Sequence, residues 1–105
     1  MKKTYRLDLE GRPRERLVEA SKHDIRKYFR RERRKPLPAG ADVWDFDVRV
    51  GADPAHAEAV GHAELIHAVD ALVAAGHPQF YVEILARPGQ RRPRPASGDG
   101  DAAQD

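Results

Sequence analysis

Apolar and polar positions along the chain fall into two periods. Thr4–Leu9 alternates, with Tyr5, Leu7 and Leu9 on one face and Thr4, Arg6 and Asp8 on the other, as a half-buried strand does. Val43–Val50 (VWDFDVRV) alternates more cleanly: Trp44, Phe46, Val48 and Val50 point one way and Asp45, Asp47 and Arg49 the other. Phe80–Ala86 repeats the pattern, with Phe80, Val82 and Ile84 inward and Tyr81 and Glu83 outward. Between the first two strands, Leu17, Val18, Ser21, Ile25, Tyr28 and Phe29 recur at helical spacing. The predicted helix runs from Pro13, suited to a first turn, to Arg34, ahead of the Pro36–Gly40 loop. A second helix is predicted from Asp53-Pro54, read as an N-cap and first helical residue, to Gly76. Its apolar side carries Ala59, Leu65, Ile66, Val69, Leu72 and Val73.

The order β-α-β-α-β predicts an α/β fold, a two-layer sandwich in which two helices cover one face of a three-stranded sheet. The second and third strands, joined by a helix, are expected to be parallel. All three strands alternate, so the other sheet face is expected to be open and polar. The stretch Pro88–Asp105 has no large apolar residue and is rich in Pro, Gly and charge. Such composition cannot offset the entropy of ordering, so a single domain over residues 1–87 with a disordered tail over 88–105 is expected.

Charge changes this picture more than composition does. The formal net charge is only +2, yet Arg12–Lys35 holds eleven Lys/Arg against four Asp/Glu, a net +7. Pro36–Ala86 holds Arg49 alone against eight acids, a net −7. There is no cysteine, which excludes disulfides, thiolate chemistry and Cys-based zinc sites. The basic start is not followed by an apolar run, so no signal peptide is read there, and no segment has the roughly 18 apolar residues of a membrane span. A soluble, cytoplasmic protein is expected.

The segments SKHDIRKYFRRERRKPLP, VWDFDVRVG and YVEILARPG resemble those of a small family of uncharacterised bacterial proteins, a domain of unknown function, over about residues 1–89. The resemblance implies a standalone bacterial protein; it supplies no activity, ligand or catalytic residue.

The candidate chemistry begins with Arg26–Lys35. A helix from Pro13 to Arg34 is ~33 Å long and a seven-residue strand ~23 Å, so the last turns are expected to project past the sheet. Counting residues places Arg16, His23, Lys27, Arg30 and Arg34 opposite the Ile25 stripe. Lys27, Arg30, Arg31, Arg33, Arg34 and Lys35 are therefore the candidate phosphate contacts of an RNA or other polyanion, with Arg87, Arg91, Arg92 and Arg94 as an added contact. A plainer account also fits, since cations in a last helical turn complement the helix dipole. Asp45 and Asp47, on one strand face, form a candidate site for a ligand or hard cation, which would suit metal-assisted hydrolysis, although an uncovered sheet face must be polar in any case. His62 is expected amid the second helix's apolar face, with Glu58 to orient it, as a further candidate ligand. No HEXXH pair, Ser-His-Asp pattern, phosphate loop, GXXG loop or helix-turn-helix occurs, so no reaction and no cofactor is read from the chain. Open sheet edges and the bipolar charge also suit a protein partner or self-association.

Overall fold

The computed structural model of the chain describes residues 1–90. Four strands, β1 (Lys2–Arg6), β2 (Val43–Gly51), β3 (Glu58–Val60) and β4 (Gln79–Gly89), form one sheet in the order β1-β4-β2-β3. Every neighbouring pair is antiparallel. Two helices, α1 (Arg14–Arg33) and α2 (Leu65–Ala74), pack on one sheet face. The core is a single cluster in which Ile25 and Phe29 of α1 and Leu65 and Val69 of α2 meet Tyr5, Phe46, Val48, Val50, Phe80, Val82 and Ile84 of the sheet. Full burial of each such side chain stabilises the fold by about 1.5–3 kcal/mol. The alternation of β2 and β4 thus does what the pattern predicts: one set of side chains enters the core, and the other faces away from the helices.

The expectation of three strands with a parallel pair is overturned, although the fold remains mixed α/β. The reason lies in residues 53–64. Asp53 does cap a helical turn, its Oδ1 accepting from the His56 amide at 3.0 Å, but that turn is a single 3-10 turn over Pro54–His56. The chain then doubles back so tightly on Gly51 that a Cβ there would lie 2.5 Å from the His56 carbonyl oxygen. Glu58–Val60 pairs with β2, Arg49 opposite Ala59. A second 3-10 turn, His62–Glu64, leads into α2. The helix therefore crosses from β3, not from β2. β3 and β4 run in one direction with β2 between them, and β4 is antiparallel to β2. β1, α1 and β2 repeat the arrangement around β4.

Smaller shifts follow from local bonding. β1 begins earlier than predicted because the Met1 amino group donates to the Ile84 carbonyl at 2.6 Å and the Ile84 amide to the Met1 carbonyl at 2.7 Å. It ends earlier too. Leu7 is buried beyond its end, but Leu9 turns out to solvent, its carbonyl accepting from the Arg12 amide. Pro13, extended at ψ 138°, caps α1 rather than beginning it. β4 continues to Gly89, with Pro88 opposite Trp44, so these two residues of the expected tail belong to the sheet. Gln90 follows, its Nε2 donating to the Gly40 carbonyl at 2.8 Å, and the tail from residue 91 lies outside the described residues.

Candidate anion-binding groove

The basic run of α1 divides by helical geometry. At 100° per residue from Ile25, Arg33, Arg26, Arg30 and Arg34 lie roughly 80°, 100°, 140° and 180° round the axis, along one flank. Lys27, Arg31 and Lys35 lie at roughly 200°, 240° and 280°, on the other. The first flank faces the turn that begins α2. There Arg26, Arg30, Arg33 and Arg34 line a groove of about 440 Å³ with Ile25, Phe29, His62 and Ile66. Arg30 and Arg34 thus border the Ile25 side that counting residues set them against.

The groove is built on an aromatic seat. Phe29 of α1 meets Phe46 of β2 edge to face, centroids 4.8 Å apart at 89°. The His62 ring lies 6.0 Å from each. The Arg33 guanidinium covers both phenyl rings, 5.6 Å from the Phe29 centroid and 5.5 Å from that of Phe46. Cation–π contact of this kind holds a long side chain in place while leaving its N–H fork available. The last turn of α1 is consequently seated over the start of β2 rather than projecting freely. Trp44 Nε1 reinforces this, donating to the Lys35 carbonyl at 2.9 Å.

Electrostatically the groove is one-sided. No carboxylate lines it, and none of its four arginines makes an ion pair among the described residues. Several cations elsewhere are paired: Lys3 with Asp24 at 3.2 Å, Lys22 with Asp70, Lys35 with the buried Glu32 at 2.8 Å. Of the remaining predicted contacts, Lys35 is held by that pair, and Arg31 lies 5.4 Å over the Tyr28 ring, outside the groove. Lys27 is exposed on the same outer flank. Arg26, Phe29 and Ile66 join the site although sequence reasoning left them out of the contact set. For Arg26 the signal was its spacing of four, seven and eight residues to Arg30, Arg33 and Arg34.

Asp45, Asp47 and His62 do not converge. The carboxylates sit on the open face, where Arg87 of β4 spans them, Nε donating to Asp47 at 2.9 Å and Nη1 to Asp45 at 3.4 Å. The hydrogen bond to Asp47 and its negative charge raise the Arg87 guanidinium's pKa further. Asp45 also occupies the space a Cβ on Gly89 would need. His62 lies on the opposite, helix-covered side, beside the Phe46 ring and ahead of α2 rather than within its apolar face. Glu58, expected to orient it, is on β3. Among the described residues, no three His, Cys, Asp or Glu side chains are grouped to hold a metal ion. Nor is any described helix long and apolar enough to cross a membrane.

A larger concavity, of about 690 Å³, lies where Val50, Val60, Ala68 and Leu72 meet the 53–56 turn. Its floor is apolar, and two of its polar groups satisfy each other: His56 Nδ1 lies 2.8 Å from Asp53 Oδ1, and that contact lowers the Asp53 pKa. The concentrated, unpaired charge is in the arginine groove.

Residues 1–95 match the model of a family of unknown function, DUF6172. The chain belongs to that family. No curated protein and no solved structure matches it.

Proposed function

We propose that this member of a family of unknown function binds nucleic acid, RNA foremost, through phosphate contacts made by Arg26, Arg30, Arg33 and Arg34. One observation carries the reading: four arginines with no ion-pair partner among the described residues converge on one groove that no carboxylate lines. Helix-dipole complementation needs cations only near the helix end and is worth a few tenths of a kcal/mol each. It does not account for Arg26, two turns earlier, or for the convergence. Arginine suits the task because its fork meets phosphate oxygens two at a time, and Arg33, fixed over two phenyl rings, loses less freedom on binding.

Contacts of this kind go to the backbone, so sequence preference is weak and salt dependence steep. The test is an NMR titration of the labelled full chain with short RNA at about 50 and 200 mM salt, four phosphate contacts giving a log–log slope near −3. Amide shifts at residues 26–34 and 62–66 that fade at the higher salt are expected. Silence at the lower salt retires the reading.

A further inference from the structure

Resting on that reading, we infer that the groove takes an unpaired nucleobase together with its phosphate, which makes the preferred ligand single-stranded. Phosphate contacts alone need only a row of cations along the path of the backbone. Here the cations rim a concavity whose floor is Ile25, Phe29 and Ile66. Its volume, about 440 Å³, lies within the roughly 300–1,000 Å³ of small-molecule sites and exceeds what one phosphate fills. Two flat polar groups border the same aromatic seat. The Arg33 guanidinium lies over Phe29 and Phe46, and the exposed His62 imidazole lies 6.0 Å from the same two rings. Guanidinium and imidazole planes are both stacking partners for a splayed-out base. A duplex hides the base faces that such a groove would grip. Arg26, Arg30 and Arg34, on the rim, then reach the phosphates on either side of the inserted base.

The test compares three labelled probes of equal length by fluorescence anisotropy at about 50 mM salt: a single-stranded RNA, its duplex, and an abasic ribose-phosphate strand of the same charge. The full chain is used, with His62→Ala and His62→Phe variants; His62 is exposed, and melting curves check that both fold. The single strand is expected to bind about tenfold more tightly than the abasic strand, the scale of one stacked base. His62→Ala should bring the two together, while His62→Phe, which keeps the ring and loses the imidazole, should hold them apart. Equal binding of single and abasic strands by the parent chain overturns the base pocket and leaves the phosphate reading standing. So does tighter binding of the duplex, or a His62→Ala variant that keeps the discrimination. No binding of any probe overturns both.

Discussion

The arginine groove and the open sheet face are both clusters of charge around one strand, β2, and they differ in what the charge meets. On the open face Arg87 lies between Asp45 and Asp47, and the register sets Arg49 and Lys2 on either side of Glu83. Arg87 there is ion-paired, and Arg49 and Lys2 stand opposite an acid in the register. On the helix-covered side four arginines share a groove with aromatic and aliphatic side chains and no acid. Paired surface charges mostly keep a sheet face wet and contribute little energy. Unpaired like charges held close together oppose folding, and the proposed anion contacts rest on that imbalance. Charge density marks both regions; the pairing separates them.

The strongest way to break this contrast is Phe46→Ala. Phe46 stands on β2 between Asp45 and Asp47 but points to the other side, where its ring supports Phe29, His62 and Arg33. Truncation should cost about 3 kcal/mol in urea unfolding and abolish discrimination among RNA probes. A loss well under 1 kcal/mol would mean that the aromatic seat is not part of the core. Next comes Arg30→Glu/Arg34→Glu. RNA affinity at low salt should fall about 100-fold or more, since two contacts become repulsions, while the melting temperature holds or rises as crowding of like charge is relieved. A variant that melts early would mean these arginines are structural.

Three of the strands and α1 were legible because the period repeats over a run long enough to read. The nine residues of β2 and the twenty of α1 give enough repeats to fix a face. Residues 53–64 were not, because each piece is three residues long and a three-residue strand has no readable period. Asp53-Pro54 signals a helix start truthfully, but nothing in the sequence says that the turn lasts only to His56. That one misreading turned an antiparallel sheet into a partly parallel one and put His62 inside a helix. The basic run itself was visible from composition. Its split into a groove flank and an outer flank was half visible from helical counting. That His62 would come to lie beside Phe29, thirty-three residues earlier, depended on the unread turn.

Away from both regions, Lys3 and Tyr5 of β1 grip Asp24 of α1, a paired cluster that should matter to stability and not to binding. The Tyr5 hydroxyl donates to Asp24 Oδ2 at 2.6 Å, and Lys3 Nζ lies 3.2 Å from the same oxygen. Tyr5→Phe should cost about 1 kcal/mol at neutral pH and leave RNA affinity unchanged. The hydrogen bond from Tyr5, foremost, and the charge of Lys3 hold the Asp24 carboxyl below its ordinary pKa, with burial opposing them. A folded pKa below the unfolded one means that the ionised carboxylate is bound better in the folded state. Its contribution is complete above the ordinary carboxylate value near 4 and is lost as pH falls through the folded value. Asp24 is about half exposed, 48% for its side chain, so the effect is small. The stability gap between the parent chain and Asp24→Asn should close as pH falls below about 4; a gap that persists would assign the cost to packing.

The smallest expected effect sharpens the contrast most. Asp45→Asn/Asp47→Asn removes both acids that hold Arg87, adding two units of positive charge and leaving Arg87 unpaired on the open face. If unpaired positive charge were all that binding needs, this face would become a second site, with RNA-induced amide shifts along β2 and β4. If the flat groups and apolar floor matter, the freed arginine finds no concavity, and the shifts stay at residues 26–34 and 62–66. Affinity at about 200 mM salt should then change by no more than about twofold, because an added charge more than a Debye length of roughly 8 Å away is largely screened. New shifts on the open face, with a matching rise in affinity, would reduce the groove to one basic patch among others.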